Sequence, residues 1–196
     1  MSLFKRSAKK KKAEPQFHIT LNINAKIMPM DRGDVFEDPI DEFLQSTGLG
    51  EVDGGGTLMS ESGEIENCDV EIYLHDGSEE NIGKLYDLVT DIGVPKGSFL
   101  ISENDRKEIG ELEGLALYLN GTDLDEEVYK TNDINHLFSE LVRLLGDEYN
   151  YHSYWEGPEE TALYFYGPSF DQMKDLISEF VEKYPLCEKS RLVQLV

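Results

Sequence analysis

One pattern of helix positions occurs twice in this sequence, and the second copy begins 91 residues after the first. The first copy starts at Ser78 and the second at Ser169. Four apolar positions match across the copies: Ile82 with Met173, Leu85 with Leu176, Tyr86 with Ile177, and Val89 with Phe180. Few of the matched residues are identical. An internal repeat of this kind constrains the architecture more strongly than any single motif.

Alternating apolar and polar residues surround each of these helices. In the first half, residues 17–27 and 68–74 alternate with period two, which is typical of a half-buried strand. Between them, Ile40, Phe43 and Leu44 have helical spacing. The remaining predicted elements are strands at 56–60, 98–102 and 115–120, a helix with apolar residues from Ile134 to Leu145, and strands at 149–155, 161–167 and 191–196.

Each half therefore has the element order β-α-β-β-α-β. This order predicts an α+β protein of two tandem ferredoxin-like repeats, each an antiparallel sheet with helices on one face. We assign residues 1–15 to a basic tail, 16–103 to the first unit, 104–113 to a charged connector and 114–196 to the second unit. The pattern leaves open whether the two sheets join edge to edge or pack face to face.

The charge of the chain is large and unevenly distributed. The net charge is −22, with 40 acidic and 18 basic residues. Six of the basic residues lie in the first 15 positions, so the rest of the chain is more acidic than the total indicates. Such a body repels nucleic acid and anionic membranes and attracts basic protein surfaces. We therefore expect a basic protein partner and no nucleic-acid partner.

Two acidic segments, 28–39 and 121–131, occupy equivalent places in the two halves. We predict that both are long loops, and long loops in compact units are often functional. Tyrosine and tryptophan are common in interface hot spots, so two aromatic residues of the 149–167 hairpin join the candidate set. The candidate partner-binding residues are Asp31, Asp34, Glu37, Asp38, Asp123, Asp125, Glu126, Glu127, Tyr154 and Trp155.

Sequence motifs for other kinds of site are missing. The run Gly54-Gly55-Gly56 lacks the lysine of a phosphate-binding loop, and we interpret it as the entry to a strand that bulges. The four histidines and two cysteines have no metal-ligand spacing. We expect no catalytic residue, metal or cofactor. Two cysteines and the lack of a secretory signal or a long apolar run favour a cytoplasmic protein without a membrane span.

These features favour one hypothesis among three. The first is a non-enzymatic acidic protein that docks a basic protein partner, in an inhibitor or immunity-type role. One alternative is a small-molecule-sensing regulatory protein with tandem ACT-like units. The other is a metal-dependent enzyme that uses the acidic loops. The sequence gives neither the oligomeric state nor the role of the lysine-rich tail.

Overall fold

The computed structural model describes residues 17–196 of the chain. The predicted tail at residues 1–15 lies outside this part. The first unit consists of β1 (Phe17–Ile23), α1 (Pro29–Arg32), a π-helical turn (Gly33–Glu37), α2 (Asp38–Thr47), β2 (Gly50–Met59), β3 (Ile65–Leu74), α3 (Glu79–Ile92), β4 (Ser98–Ile101) and β5 (Arg106–Ile109).

The second unit repeats this order with one strand fewer. It consists of β6 (Glu113–Asn120), α4 (Glu126–Thr131), α5 (Ile134–Leu145), a 3-10 turn (Gly146–Glu148), β7 (Tyr151–Glu156), β8 (Glu160–Gly167), α6 (Phe170–Lys183), a second 3-10 turn (Pro185–Cys187) and β9 (Arg191–Gln194).

The two sheets have the same strand order. The first is β2-β3-β1-β4-β5 and the second is β7-β8-β6-β9, and all pairs within them are antiparallel. In both, the first strand of the unit lies between the third and the fourth, which is the ferredoxin-like order. The predicted fold of two ferredoxin-like repeats is confirmed.

The repeated helix signal also corresponds to real helices. Ser78 and Ser169 are the N-caps of α3 and α6, and each side chain accepts a hydrogen bond from the backbone N–H three residues later. Both helices have 14 residues. The sequence pattern therefore located the last α-helix of each unit.

The prediction of a loop at 28–39 is wrong. Most of this segment is helical, because α1, the π-helical turn and α2 follow one another without a break. Arg32, Phe36, Ile40 and Leu44 are all buried and lie four residues apart, so they form one side of a helix. The predicted loop at 121–131 is helical from Glu126 onward, in α4. The connector at 104–113 contains β5, which pairs with β4.

The glycine run lies inside β2, where the strand changes register. The pairing with β3 shifts between Val52 and Gly55, as expected for a bulge. A Cβ atom on Gly55 would lie 3.1 Å from the Arg32 guanidinium carbon. Arg32 Nη1 donates to the Gly56 carbonyl oxygen at 2.7 Å, and Nε donates to Glu37 Oε1 at 2.6 Å. The bulge therefore makes room for a buried, paired arginine.

The second sheet packs its helix-free face against the first unit. Ala116, Tyr118, Ala162, Tyr164 and Tyr166 belong to the same buried cluster as the first unit's core. The opposite face of this sheet carries Leu115, Leu117 and Phe165 among other residues, and packs on α5 and α6. The two sheets do not share an edge. Instead, one face of the second sheet covers the segment after β1 and the β2–β3 turn.

Within residues 17–196, no helix combines the length and the apolar character needed to cross a bilayer.

Candidate functional site

A cleft opens along β7, at the place where the second unit meets α1 of the first. It consists of two adjoining cavities of about 490 Å³ and 350 Å³, which share Asp31 and His152 as lining residues. We call this cleft the β7 groove. Its lining residues are Asp31, Asp34, Val35, Ile134, Asn135, Phe138, Gly146, Asp147, Tyr149, Asn150, Tyr151, His152, Ser153, Tyr154, Glu156 and Leu163.

Both units contribute acidic residues to the β7 groove. Asp31 and Asp34 come from the first unit, and Asp147 and Glu156 come from the second. Asp34, Asp147 and Glu156 are exposed, and Asp31 is half-buried. No lysine or arginine is among the lining residues. The groove therefore carries a concentrated negative charge, which favours cationic groups.

Apolar and aromatic surface lies beside these carboxylates. Tyr154 is 49% exposed, Ile134 is 41% exposed, and Phe138 lies on the neighbouring turn of α5. Met30, next to Asp31 on α1, is 84% exposed. Exposed large apolar side chains near a concave surface are typical of binding sites.

His152 is the one histidine that lines both cavities. Its ring centroid lies 4.9 Å from that of Phe138 and 5.9 Å from that of Tyr149. The rings of Phe138 and Tyr149 shield part of the otherwise exposed His152 ring from water, and this partial desolvation lowers the pKa of His152 from its ordinary value; the nearby negative charge of Asp31 opposes the shift in part. Near neutral pH, His152 is therefore uncharged and leaves the negative charge of the groove intact.

Direct contacts between the two units fix the walls of the groove. The backbone N–H of Met28 donates to Ser153 Oγ at 3.2 Å. The rings of Phe36 and Tyr151 meet edge to face, with centroids 5.4 Å apart. Because both contacts are buried or half-buried, α1 and β7 keep a defined spacing.

A polar cluster under the second sheet joins the units more firmly. Glu64, in the β2–β3 turn, accepts hydrogen bonds from the hydroxyl groups of Tyr118 at 2.6 Å and Tyr164 at 2.7 Å. Lys26 Nζ lies 3.1 Å from the same carboxylate oxygen. Burial raises the pKa of Glu64, but the hydrogen bonds from Tyr118, Tyr164 and Lys26 outweigh it, so the net pKa is lowered.

The structure brings only part of the predicted set together. Asp31, Asp34 and Tyr154 line the β7 groove. Glu37 instead pairs with Arg32, and Asp38 is exposed at the start of α2. Trp155 lies half-buried on the other face of β7, beneath Gly157, where an added Cβ would be 2.1 Å from its ring.

The second acidic segment lies outside the groove and has local roles. Asp123 pairs with Lys189 at 2.8 Å, and Glu126 pairs with Lys130 at 2.7 Å. Asp125 is the N-cap of α4 and accepts the Glu127 N–H. None of these residues lines the β7 groove.

Sequence reasoning missed Asp147, Glu156 and His152 as groove residues. The alternation of residues along the strand could have identified two of them, His152 and Glu156. His152, Tyr154 and Glu156 alternate along β7 and are all exposed, whereas Tyr151 and Ser153 are buried. For Asp147 there was no such signal, because its position depends on how the two units pack.

Other potentially reactive groups are either dispersed or buried. Among residues 17–196, no three His, Cys, Asp or Glu side chains are grouped in a way that could hold a metal ion. Both cysteines are buried free thiols, and burial raises the pKa of each to about 12. They are therefore protonated and unreactive near neutral pH.

No protein-family model matches this sequence, and no curated protein does either. Several solved structures are similar over most of the chain. An unknown protein from Galdieria sulphuraria has 11% identity, covers 91% of this chain and 95% of its own, and gives a TM-score of 0.26. A candidate glycine cleavage system transcriptional repressor has 9% identity, 91% and 95% coverage, and a TM-score of 0.30. The first two RRM domains of yeast poly(U) binding protein have 9% identity, 91% and 99% coverage, and a TM-score of 0.26. These values are too low to support a functional conclusion.

Proposed function

We propose that this protein is a non-enzymatic binding protein that docks a basic protein partner in the β7 groove. The observation that carries the proposal is the composition of the groove. Carboxylates from both units line one concave surface together with exposed aromatic and aliphatic side chains, and no lysine or arginine lines it. An inhibitor or immunity-type role fits such a surface, because these proteins act by occupying a partner's functional surface.

The charge of the groove favours rapid capture of a basic partner. Complementary charge raises association rates, and a concave wall concentrates the field of its carboxylates. Exposed carboxylates gain little from any single ion pair, on the order of 0.2–1 kcal/mol. The acidic residues therefore supply attraction and selectivity between partners.

The apolar part of the groove supplies most of the affinity. Tyr154 offers a large amphipathic surface with few rotatable bonds, and residues of this type dominate interface energies. The cavity beside it, lined by Ile134, Phe138 and Leu163, has room for an aliphatic side chain. The matching partner segment carries basic and aliphatic residues together.

A small-molecule ligand is the alternative that the cavity volumes allow. Cavities of about 490 Å³ and 350 Å³ are in the size range of small-molecule sites, which is roughly 300–1,000 Å³. Such sites are mostly apolar, whereas four carboxylates line this groove. Its charge would restrict a small ligand to cations.

The proposal is tested with peptides that differ in the charge of one repeated residue. Three labelled peptides alternate valine with arginine, with glutamine or with glutamate, and fluorescence anisotropy measures their binding to the full-length protein. We expect saturable binding of the arginine peptide, weaker binding of the glutamine peptide and none of the glutamate peptide. The affinity for the arginine peptide should fall as salt rises.

Two outcomes would overturn the proposal. One is equal affinity for the arginine and glutamate peptides. The other is no saturation by the arginine peptide up to about 1 mM, which corresponds to about −4 kcal/mol. A thermal-shift screen of cationic metabolites, run in parallel, addresses the small-molecule alternative. A response there without peptide binding would replace the proposal with that alternative.

A further inference from the structure

We infer that the partner segment binds as an extended β-strand, which adds to the free edge of β7 and extends the second sheet. This inference rests on the proposed function, since it names the binding mode at the same groove. The occupant is a segment of a basic partner protein in which arginine or lysine alternates with aliphatic residues.

The hydrogen-bond pattern of β7 shows which backbone groups are available. Gly157 N–H donates to the Glu160 carbonyl at 2.9 Å, and these two residues are opposite each other in the β7–β8 register. In two antiparallel strands, pairs of opposite residues that exchange backbone hydrogen bonds alternate with pairs that do not. Trp155, Ser153 and Tyr151 therefore bond to β8. His152, Tyr154 and Glu156 direct their N–H and C=O groups outward.

This outer edge has no strand partner within residues 17–196. β8 is the one strand that pairs with β7 there. The same three residues, His152, Tyr154 and Glu156, line the β7 groove, and all three are exposed. Six outward backbone groups thus lie along the β7 groove.

The other sheet edges carry features that discourage strand addition. β2 changes register twice. β5 has four residues, including Arg106 and Lys107. β9 also has four residues and begins at Arg191. Bulges, short length and basic side chains are the usual ways in which proteins protect an edge strand.

β7 has none of this protection. It has six residues in continuous register with β8, and it contains no lysine, arginine or proline. An unprotected edge with aromatic side chains is a surface on which another strand can pair. Two carboxylates at this edge, Glu156 of β7 and Asp31 of α1, restrict that pairing to a basic strand.

Side chains of an added strand would meet two different surfaces, because they alternate between the sheet faces. On the helix side they meet Phe138 and Ile134 of α5, which suits an aliphatic residue. The other side is the face of Ser153, which bonds to Met28 just before α1; Asp31 of α1 also lines the groove, which suits a basic residue there. The alternating arginine–valine peptide satisfies both surfaces at once.

Amide hydrogen exchange at single-residue resolution tests the binding mode directly. The full-length protein is compared with and without the arginine–valine peptide, at a peptide concentration of about ten times its dissociation constant. We expect exchange at His152, Tyr154 and Glu156 to slow by about tenfold, because only the unbound fraction then exchanges. The amides of Ser153 and Trp155, which already bond to β8, are the internal control and should change little.

The outcomes separate this inference from the proposed function. Peptide binding without protection of His152, Tyr154 and Glu156 overturns strand addition and leaves the docking proposal standing. Lack of binding overturns both. A third outcome concerns the chain's own lysines at 9–12. If the amides of His152, Tyr154 and Glu156 were protected without peptide, and if replacing those lysines with glutamine removed the protection, the lysine segment would be the occupant. That result would overturn the inference that a partner protein occupies the edge.

Discussion

The Tyr118 hydroxyl group donates a 2.6 Å hydrogen bond to Glu64, and this contact joins the sheet of one repeat to the β2–β3 turn of the other. Tyr164 makes a second such bond to the same oxygen. Burial and the hydrogen bond to Glu64 raise the pKa of Tyr118 to about 12, so Tyr118 remains a donor throughout the physiological range. The β7 groove depends on this arrangement because its walls come from both repeats.

Replacing Glu64 should destabilise the whole protein. Glu64→Gln removes the charge that strengthens both tyrosine hydrogen bonds and removes the ion pair of Lys26, which keeps its hydrogen bond to the Ile65 carbonyl oxygen. We expect the free energy of unfolding to fall by about 1–3 kcal/mol, as is typical for hydrogen bonds to a charged group. Urea unfolding measures it. Glu61→Gln, at an exposed position in the same turn, should change stability by less than about 0.5 kcal/mol.

The same residue should give the protein a defined sensitivity to acid. The folded-state pKa of Glu64 is lowered, so its contribution to stability is complete above the ordinary value of 4.5. That contribution is lost as the pH falls from this value through the lower folded-state pKa. The free energy of unfolding of wild type should therefore fall more steeply than that of Glu64→Gln below pH 4.5. Parallel curves would contradict this assignment.

Gly55→Ala should disturb the first repeat. The added Cβ would lie 2.2 Å from the Asp69 carbonyl oxygen and 3.1 Å from the Arg32 guanidinium carbon. We expect a loss of about 2 kcal/mol or more, because both the strand pairing and the buried arginine must shift. Gly83→Ala, in α3 with no atom within 4 Å of the new methyl group, should instead stabilise by about 0.5–1 kcal/mol. Thermal unfolding of both variants distinguishes these effects.

Tyr154→Ala should weaken binding and Trp155→Ala should lower stability, although the two residues are neighbours. Tyr154 is exposed in the β7 groove, so its loss should weaken arginine–valine peptide binding by about tenfold with little effect on stability. Trp155 packs against the first core cluster, so its loss should destabilise the protein by about 2 kcal/mol or more. Anisotropy and urea unfolding are measured for both. If both substitutions weakened peptide binding equally, the result would contradict a contact surface on the Tyr154 side of β7.

The parts of the structure that the sequence predicts are those governed by local periodicity. Strand alternation and the serine caps at 78 and 169 gave the order of elements and the fold class. Residues 28–39 were wrongly predicted as a loop because Gly33, Pro39 and five charged residues obscure the buried positions, which lie four residues apart. One of the four buried positions is Arg32. A charged residue is not expected on the buried side of a helix, and only its pairing with Glu37 explains why Arg32 is buried. Long-range packing placed Asp147 and Asp31 in the lining of the same cavity, and no local pattern encodes that arrangement.

Binding should respond to the charge of His152. Burial lowers its pKa, so it gains a proton only below its ordinary value of 6.5. The added positive charge between the two cavities repels a basic segment. Affinity for the arginine–valine peptide should therefore be constant from about pH 8 to pH 6.5 and fall at lower pH. The affinity of His152→Gln should change less over the same pH range, because glutamine cannot gain this charge. An equal fall in both proteins would exclude His152 as the cause.

The most direct test compares two triple variants with the same change in net charge. One, Asp31→Asn with Asp34→Asn and Asp147→Asn, alters the β7 groove. The other, Asp123→Asn with Glu126→Gln and Glu127→Gln, alters the acidic segment outside it. The dissociation constant of the arginine–valine peptide is measured for both and for wild type at about 0.15 M salt, where charges more than about 8 Å apart are screened. We predict at least a tenfold loss of affinity in the groove variant, which is about 1.4 kcal/mol, and less than about a twofold loss in the other. Equal losses in the two variants, or no loss in the first, would contradict docking in the β7 groove.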